Sequence, residues 1–101
     1  MNLPNLIPIP NNVFINIQHF NHEKIKKIVK NKNHGIVNYV NRNTKYATMV
    51  TVYDENQQLI SIGISRCGKL DVPNKKLGRA IAQNRAVYNY MYKKATASWN
   101  M

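Results

Sequence analysis

The stretch KYATMVTVYDENQQLISIGISR, residues 45–66, decides the fold. Residues 45–53 alternate between two faces, and residues 58–66 place isoleucine at every second position from 60 to 64. Side chains along a strand point to opposite faces in turn, so this period of two predicts two strands. DENQ, residues 54–57, predicts the turn between them. Gly63 interrupts the second strand and predicts either close approach by a neighbouring group or a bulge.

Upstream of this hairpin, FNHEKIKKIVKNKNHG, residues 20–35, has the pattern of a helix. Asn21 is a good N-cap, and Gly35 is suited to follow the end of the helix. IVNYV, residues 36–40, predicts a short strand before the turn NRNT. The lysines of this helix are either solvated side chains near its C-terminal end or a diffuse positive field for phosphates.

The N-terminal segment is extended, because Pro4, Pro8 and Pro10 exclude a helix there. VFINI, residues 13–17, alternates and is compatible with a strand. An apolar arm of this kind packs either over its own domain or against a second subunit. A small domain hides only part of its apolar surface, so a homodimer is one expectation.

Downstream, NKKLGRAIAQNRAVYNYMYKK, residues 74–94, combines helical spacing with six cations and no acid. Asp71 or Asn74 is the expected N-cap. At 100° per residue, one face carries the residues expected to dock on the sheet: Leu77, Ala80, Ile81, Val87, Tyr88 and Met91. The opposite face carries cations separated by Ala82 and Ala86, which predicts close approach of another molecule there. Gly78 suggests close approach to a ligand or packing on the sheet.

These elements predict an α+β fold: a helix, a three-stranded antiparallel sheet and a second helix, preceded by an extended N-terminal arm. The arm is assigned to residues 1–19 and the single α+β domain to residues 20–101. A chain of 101 residues is long enough for one core.

Charge indicates the class of partner. The chain has 15 Lys and Arg against 4 acidic residues, a net charge of +11. Such a balance favours an anionic partner, most often nucleic acid, although 16 asparagines point to an AT-rich genome that raises lysine content for other reasons. A single cysteine and the lack of a long apolar run predict a cytoplasmic protein without a membrane partner.

The free N–H groups at the start of the last helix attract phosphates, and several cations surround that point. We therefore expect nucleic acid, DNA or RNA, to be bound by Lys69, Lys75, Lys76, Arg79, Arg85 and Lys93. A solvated helix face is the competing interpretation. If the cations bind nucleic acid, Asp71 caps the helix and has no catalytic role.

An enzyme is not expected, and no catalytic residue, metal site or cofactor is predicted. The acids are scarce, and none is paired for acid–base chemistry. His19 and His22 lack further metal ligands nearby in the sequence, and Cys67 has no histidine partner, so it reads as a structural cysteine.

Two resemblances bear on origin and topology. GISRCGKLDVPNKKLGRAIAQNRAV resembles a C-terminal pattern of small uncharacterised bacteriophage proteins, in which a strand ends in cysteine and is followed by an acid, a basic pair and Gly-Arg-x-Ile-Ala. The matching positions are Cys67, Asp71, Lys75, Lys76, Gly78, Arg79, Ile81, Ala82, Arg85 and Ala86. Pro73 departs from this pattern. The order helix, three strands, helix resembles double-stranded-RNA-binding domains, whose last helix opens with a lysine pair.

The resemblance to the bacteriophage group implies a phage origin and gives no activity. Two functions from different classes follow from the sequence. The first is a small basic module that grips the phosphate backbone with little sequence readout. The second is a phage interaction protein that binds and inhibits a host or defence protein.

Overall fold

The structure is a computed structural model that describes residues 4–32, 35–41, 43–68 and 74–93. It contains strand β1 (Phe14–Phe20), helix α1 (His22–Asn31), a 3-10 helix (Gly35–Asn38), strands β2 (Thr44–Tyr53) and β3 (Leu59–Gly68), and helix α2 (Lys75–Lys93). The strands form one antiparallel sheet in the order β1-β2-β3. The predicted α+β class, with two helices and a three-stranded antiparallel sheet, is confirmed.

One strand of the sheet comes from a segment other than the predicted one. The sequence predicts a strand at residues 36–40, but Gly35–Asn38 is a 3-10 helix, with Ile36 and Val40 buried. Residues 14–20 pair with β2 instead, from Phe14 opposite Tyr53 to Phe20 opposite Ala47. A seven-residue alternating segment lines most of β2, whereas the short segment 36–40 places its apolar side chains beside α1. The arm outside the sheet is therefore 4–13.

The two helices cover opposite faces of the sheet. On one face, α1 and the 3-10 helix pack in a cluster whose buried members are Phe20, Ile25, Ile28, Ile36, Val40, Ala47 and Ile64. On the other face, α2 packs in a second cluster, formed by Val50, Val52, Ala82 and Ala86. The sheet thus lies between a short helix and a long one.

Helix α1 begins as predicted and ends earlier. The Asn21 side chain accepts a hydrogen bond from the Lys24 N–H at 2.9 Å, so the expected N-cap is confirmed. The expected end at Gly35 is wrong. Lys32 has a left-handed backbone, with φ of 53°, and its N–H donates to the Ile28 carbonyl at 2.7 Å. This bond closes the last turn three residues before the glycine.

The predicted docking face of α2 is confirmed for Ala80 and Val87, which are buried, and is wrong for the C-terminal part of the helix. Ala82 and Ala86 are buried against the sheet, whereas Tyr88 and Met91, expected in the core, are each 50% exposed. A Cβ at Gly63 would lie 2.1 Å from the Ala82 carbonyl oxygen. The close approach predicted at Gly63 is confirmed, and it explains the error: where helix and strand nearly touch, only small side chains fit between them.

The arm packs on α2 of the same chain. The Ile7 N–H donates to Asn84 Oδ1 at 2.8 Å, and Asn84 Nδ2 donates to the Asn5 carbonyl at 2.8 Å. A single amide thus satisfies one donor and one acceptor of the arm backbone. Asn84 thus joins the arm to α2.

Candidate nucleic-acid interface

The start of α2 brings together three of the predicted cations. Asn74 is the N-cap, because its side chain accepts from the Leu77 N–H at 3.0 Å. Lys75, Lys76 and Arg79 follow and are exposed. Within the described residues none of these three forms an ion pair with a carboxylate. Their charges are therefore available to an anion at the positive end of the helix dipole.

A cavity of about 370 Å³ opens beside this terminus. It lies where β1 ends, β2 begins and α2 begins. Its walls combine polar, aromatic and cationic side chains: His19, Phe20, Asn21, Tyr46, Ala47, Thr48, Asn74 and Lys75. Such a wall suits a ligand that has both a charged and a flat apolar part, as a nucleotide does.

The positive charge of this site affects the pKa of His19. Its Nδ1 lies 3.0 Å from Thr48 Oγ1, which fixes the ring at the end of β1. Partial burial lowers the pKa of His19 below its usual value of 6.5, and the charges of Lys75 and Arg79 lower it further. The imidazole and the two cations thus share one electrostatic environment, although they come from β1 and α2.

Gly78 and two hydroxyl groups hold α2 against the sheet at this point. Ser65 Oγ donates to the Gly78 carbonyl at 2.8 Å. A Cβ at Gly78 would lie 3.0 Å from Thr48 Oγ1 and 3.2 Å from Ser65 Oγ. Of the two expectations for Gly78, packing on the sheet is the one that the structure supports.

A second cationic cavity, of about 730 Å³, lies along α1. Its lining includes Lys26, Lys30 and Lys32, over an apolar floor formed in part by Ile25 and Val29. Thr44, the first residue of β2, also lines it, so both cavities lie at the same end of the sheet. We call this the cationic end.

The opposite end of the sheet is acidic by comparison. Asp54 and Glu55 form the turn between β2 and β3, roughly 30 Å from the start of β2 along that strand. The Asp54 carboxylate accepts from the backbone N–H groups of Asn56 and Gln58 at 2.8 and 2.9 Å, as suits a turn residue. The two acidic residues of this turn therefore lie away from Lys75, Lys76 and Arg79.

Two predicted site residues lie away from the cationic end. Arg85 donates to the Ile64 carbonyl on β3, so part of its guanidinium has a structural role. Lys93 is the last residue of α2, 18 positions after Lys75, or about 27 Å along the helix. Lys69 and Asp71 lie outside the described residues.

Sequence reasoning missed His19, Thr48 and Tyr46 as parts of this site. A usable signal exists for His19: extending the alternation of residues 13–17 by two positions places it on the α2 side with Ile15 and Ile17. Its proximity to α2 depends on pairing between β1 and β2, which are far apart in sequence. Local patterns therefore do not reveal the cavity.

The described part of the chain contains no group of three His, Cys, Asp or Glu that would hold a metal ion. Nor does any helix in that part have the length and apolarity to cross a membrane. Comparison with protein-family models, curated proteins and solved structures finds no match to this chain.

Proposed function

We propose that this protein binds nucleic acid at the cationic end, contacting the phosphate backbone with little sequence readout. The observation that carries the proposal is the convergence of Lys75, Lys76 and Arg79 on the start of α2, beside a cavity walled by His19 and Tyr46. A phosphate at the helix start accepts hydrogen bonds from free N–H groups and lies close to all three cations. The α1 lysines extend this field to neighbouring phosphates.

This arrangement supports positioning more than base recognition. Phosphate contacts fix the register of a protein on nucleic acid and carry no sequence information. Tyr46 offers a ring on which an unpaired base stacks, and stacking tolerates every base.

The test is a binding series with DNA and RNA, each single- and double-stranded, over a range of salt concentrations. Neutralising about five phosphates on a duplex predicts a slope of log affinity against log salt of roughly −4 to −5. Absence of measurable affinity for all four forms at physiological salt would contradict the proposal. A single-stranded preference would assign a binding role to the cavity.

Binding should also raise the pKa of His19. In the free protein, burial and then the charges of Lys75 and Arg79 lower this pKa. A phosphate beside the two cations offsets their charge, so the imidazolium becomes easier to form in the complex. The complex then takes up protons, and affinity should rise as the pH falls through the interval between the free and bound pKa values.

The measurement is an NMR titration of the His19 ring with and without an oligonucleotide. Arg79→Gln in the free protein is the matched control, because removing that charge should raise the pKa of His19 without any ligand. A His19 pKa that is the same with and without bound oligonucleotide would place the phosphates elsewhere on the surface.

A second candidate function is favoured by the far part of α2. Tyr88, Met91 and Tyr92 are 50 to 56% exposed, and the Tyr88 and Tyr92 rings stack with centroids 4.2 Å apart. An exposed apolar surface of this kind suits a protein partner, as an inhibitor of a host or defence protein requires. Recovery of one specific protein after nuclease treatment, without nucleic-acid affinity, would favour this function over the first.

A further inference from the structure

The two edge strands of the sheet, β3 and β1, differ in how their outward backbone groups are hydrogen-bonded. At the β3 edge, side chains from α2 occupy backbone carbonyls: Arg85 donates to the Ile64 carbonyl, and Asn89 Nδ2 donates to the Ile62 carbonyl at 3.2 Å. An edge whose polar groups are occupied in this way is a poor template for another strand. The β1 edge differs in its hydrogen bonding.

The hydrogen-bond alternation of the sheet shows which β1 groups point outward. The Ile62 and Ile64 carbonyls accept from α2 side chains at the outer edge, so the odd-numbered residues of β3 bond β2. Their partners on β2 are the even-numbered residues Thr48, Val50 and Val52. The odd-numbered residues of β2 then bond β1, and they lie opposite its even-numbered residues. The backbone groups of Ile15, Ile17 and His19 therefore face away from the sheet.

No hydrogen bond from residues 4–32, 35–41, 43–68 or 74–93 reaches these outward groups. The strand also lacks the usual protection, because FINIQ, residues 14–18, contains no charge, proline or glycine. In a chain of net charge +11, this neutral edge is a surface that a second copy can approach.

We propose that β1 pairs antiparallel with β1 of a second copy, about a two-fold axis at Ile17, to form a continuous six-stranded sheet. This register pairs the strand over its full length and matches all three outward residues, with Ile15 opposite His19 of the second copy. Phe14, 61% exposed, comes to lie at the position opposite Phe20 of the second copy, so part of its apolar surface is covered when the strands pair.

The charge distribution favours this antiparallel arrangement. Phe20 lies at the cationic end of the sheet, and Phe14 lies opposite Tyr53, next to the acidic turn at Asp54 and Glu55. Antiparallel pairing sets the cationic end of each copy beside the acidic turn of the other, and it keeps the two cationic ends apart. The same surface pairs with itself, as a two-fold interface requires.

The proposal is independent of nucleic-acid binding, and sedimentation equilibrium of the full chain over a wide concentration range tests it. Asn16 and Gln18 are exposed neighbours on one face of β1, and they become directly opposed across the axis. Asn16→Lys with Gln18→Lys creates two like-charge pairs. Asn16→Glu with Gln18→Lys creates two opposite-charge pairs and keeps the net charge at its original value.

We expect a dimer for the parent chain and a dissociation constant about tenfold or more higher for the Lys/Lys variant than for the Glu/Lys variant at low salt. High salt should reduce this difference. Circular dichroism verifies that both variants fold. A parent chain that stays monomeric at the highest concentration, or variants that dimerise equally well, would overturn the proposal.

Discussion

Replacing Gly63 by alanine should lower the free energy of unfolding by about 3 kcal/mol or more. The added methyl group would lie 2.1 Å from the Ala82 carbonyl oxygen and 2.3 Å from the Ala86 backbone nitrogen. These are backbone atoms of α2, so no rotamer change relieves the clash. The helix would have to move off the sheet and weaken the packing of Val50 and Val52 beneath it.

The measurement is thermal or urea unfolding, and the midpoint should fall by at least about 12 °C. Gly78→Ala is the matched control, because the three atoms nearest its new methyl group all belong to side chains: Thr48 Oγ1 at 3.0 Å, Ser65 Oγ at 3.2 Å and Thr48 Cβ at 3.8 Å. The helix propensity gained there, up to about 1 kcal/mol, offsets the crowding, so we expect little net change.

A double variant separates backbone from side-chain crowding at Gly63. Adding Ala86→Gly to Gly63→Ala removes the Ala86 methyl group and leaves its backbone nitrogen in place. The double variant should therefore be no more stable than Gly63→Ala alone. Recovery of stability would show that the helix and the strand are farther apart than the structure has them.

The strand hairpin and the helix starts were predictable because their signals are local. Residues 45–66 carry a period of two on both sides of a turn, and the caps at Asn21 and Asn74 depend on the next few residues. Lys75, Lys76 and Arg79 are also local: they follow a cap in the first turns of one helix. Their grouping at a helix start therefore follows directly from the sequence.

Hydropathy predicts only part of the docking face of α2: Ala80 and Val87 are buried as expected, but it places Ala82 and Ala86 on the opposite face. The usual assumption is that the largest apolar residues, such as Tyr88 and Met91, face the core. Here a glycine on β3 brings the helix so close that Ala82 and Ala86 occupy the interface. The relevant information lies in the pairing of Gly63 with a small-residue stripe about 20 positions later, which a helical plot of α2 alone does not contain.

The candidate cavity also depends on contacts between residues that are far apart in the sequence. His19 reaches Thr48 across the β1–β2 pair, and both then meet α2 at Lys75 and Gly78. The sequence predicts the third strand at residues 36–40, which leaves residues 14–20 outside the sheet. It therefore does not place His19 next to Thr48 and the start of α2. A charge pattern identifies a cationic helix start, whereas the fold determines what lies beside it.

Reversing two charges at the start of α2 should have the largest effect on binding. Lys75→Glu with Arg79→Glu removes two phosphate contacts and should lower affinity at about 0.1 M salt by at least about 60-fold, since each contact contributes roughly 0.9 to the salt slope. The slope itself should become shallower by about 2. Because phosphate contacts carry no base information, the loss should be similar for every sequence.

The fold should tolerate this change. Both side chains are exposed, and glutamate near the positive end of the α2 dipole is favourable. Unfolding measurements should therefore show parent-like stability, so that a loss of binding reports on the site. The same variant should raise the pKa of His19, because two positive charges near the ring are replaced by negative ones.

Lys93→Glu is the matched control, since it makes the same type of charge reversal about 27 Å farther along the same helix. Its effect should be limited to the smaller overall charge, a few-fold at low salt that fades as salt screens it. The measurement is a gel-shift or anisotropy titration of each variant with the same oligonucleotide, which compares their dissociation constants. If Lys93→Glu weakened binding as much as the double reversal at Lys75 and Arg79, the contact surface would extend along the whole helix, and the cationic end would lose its special role.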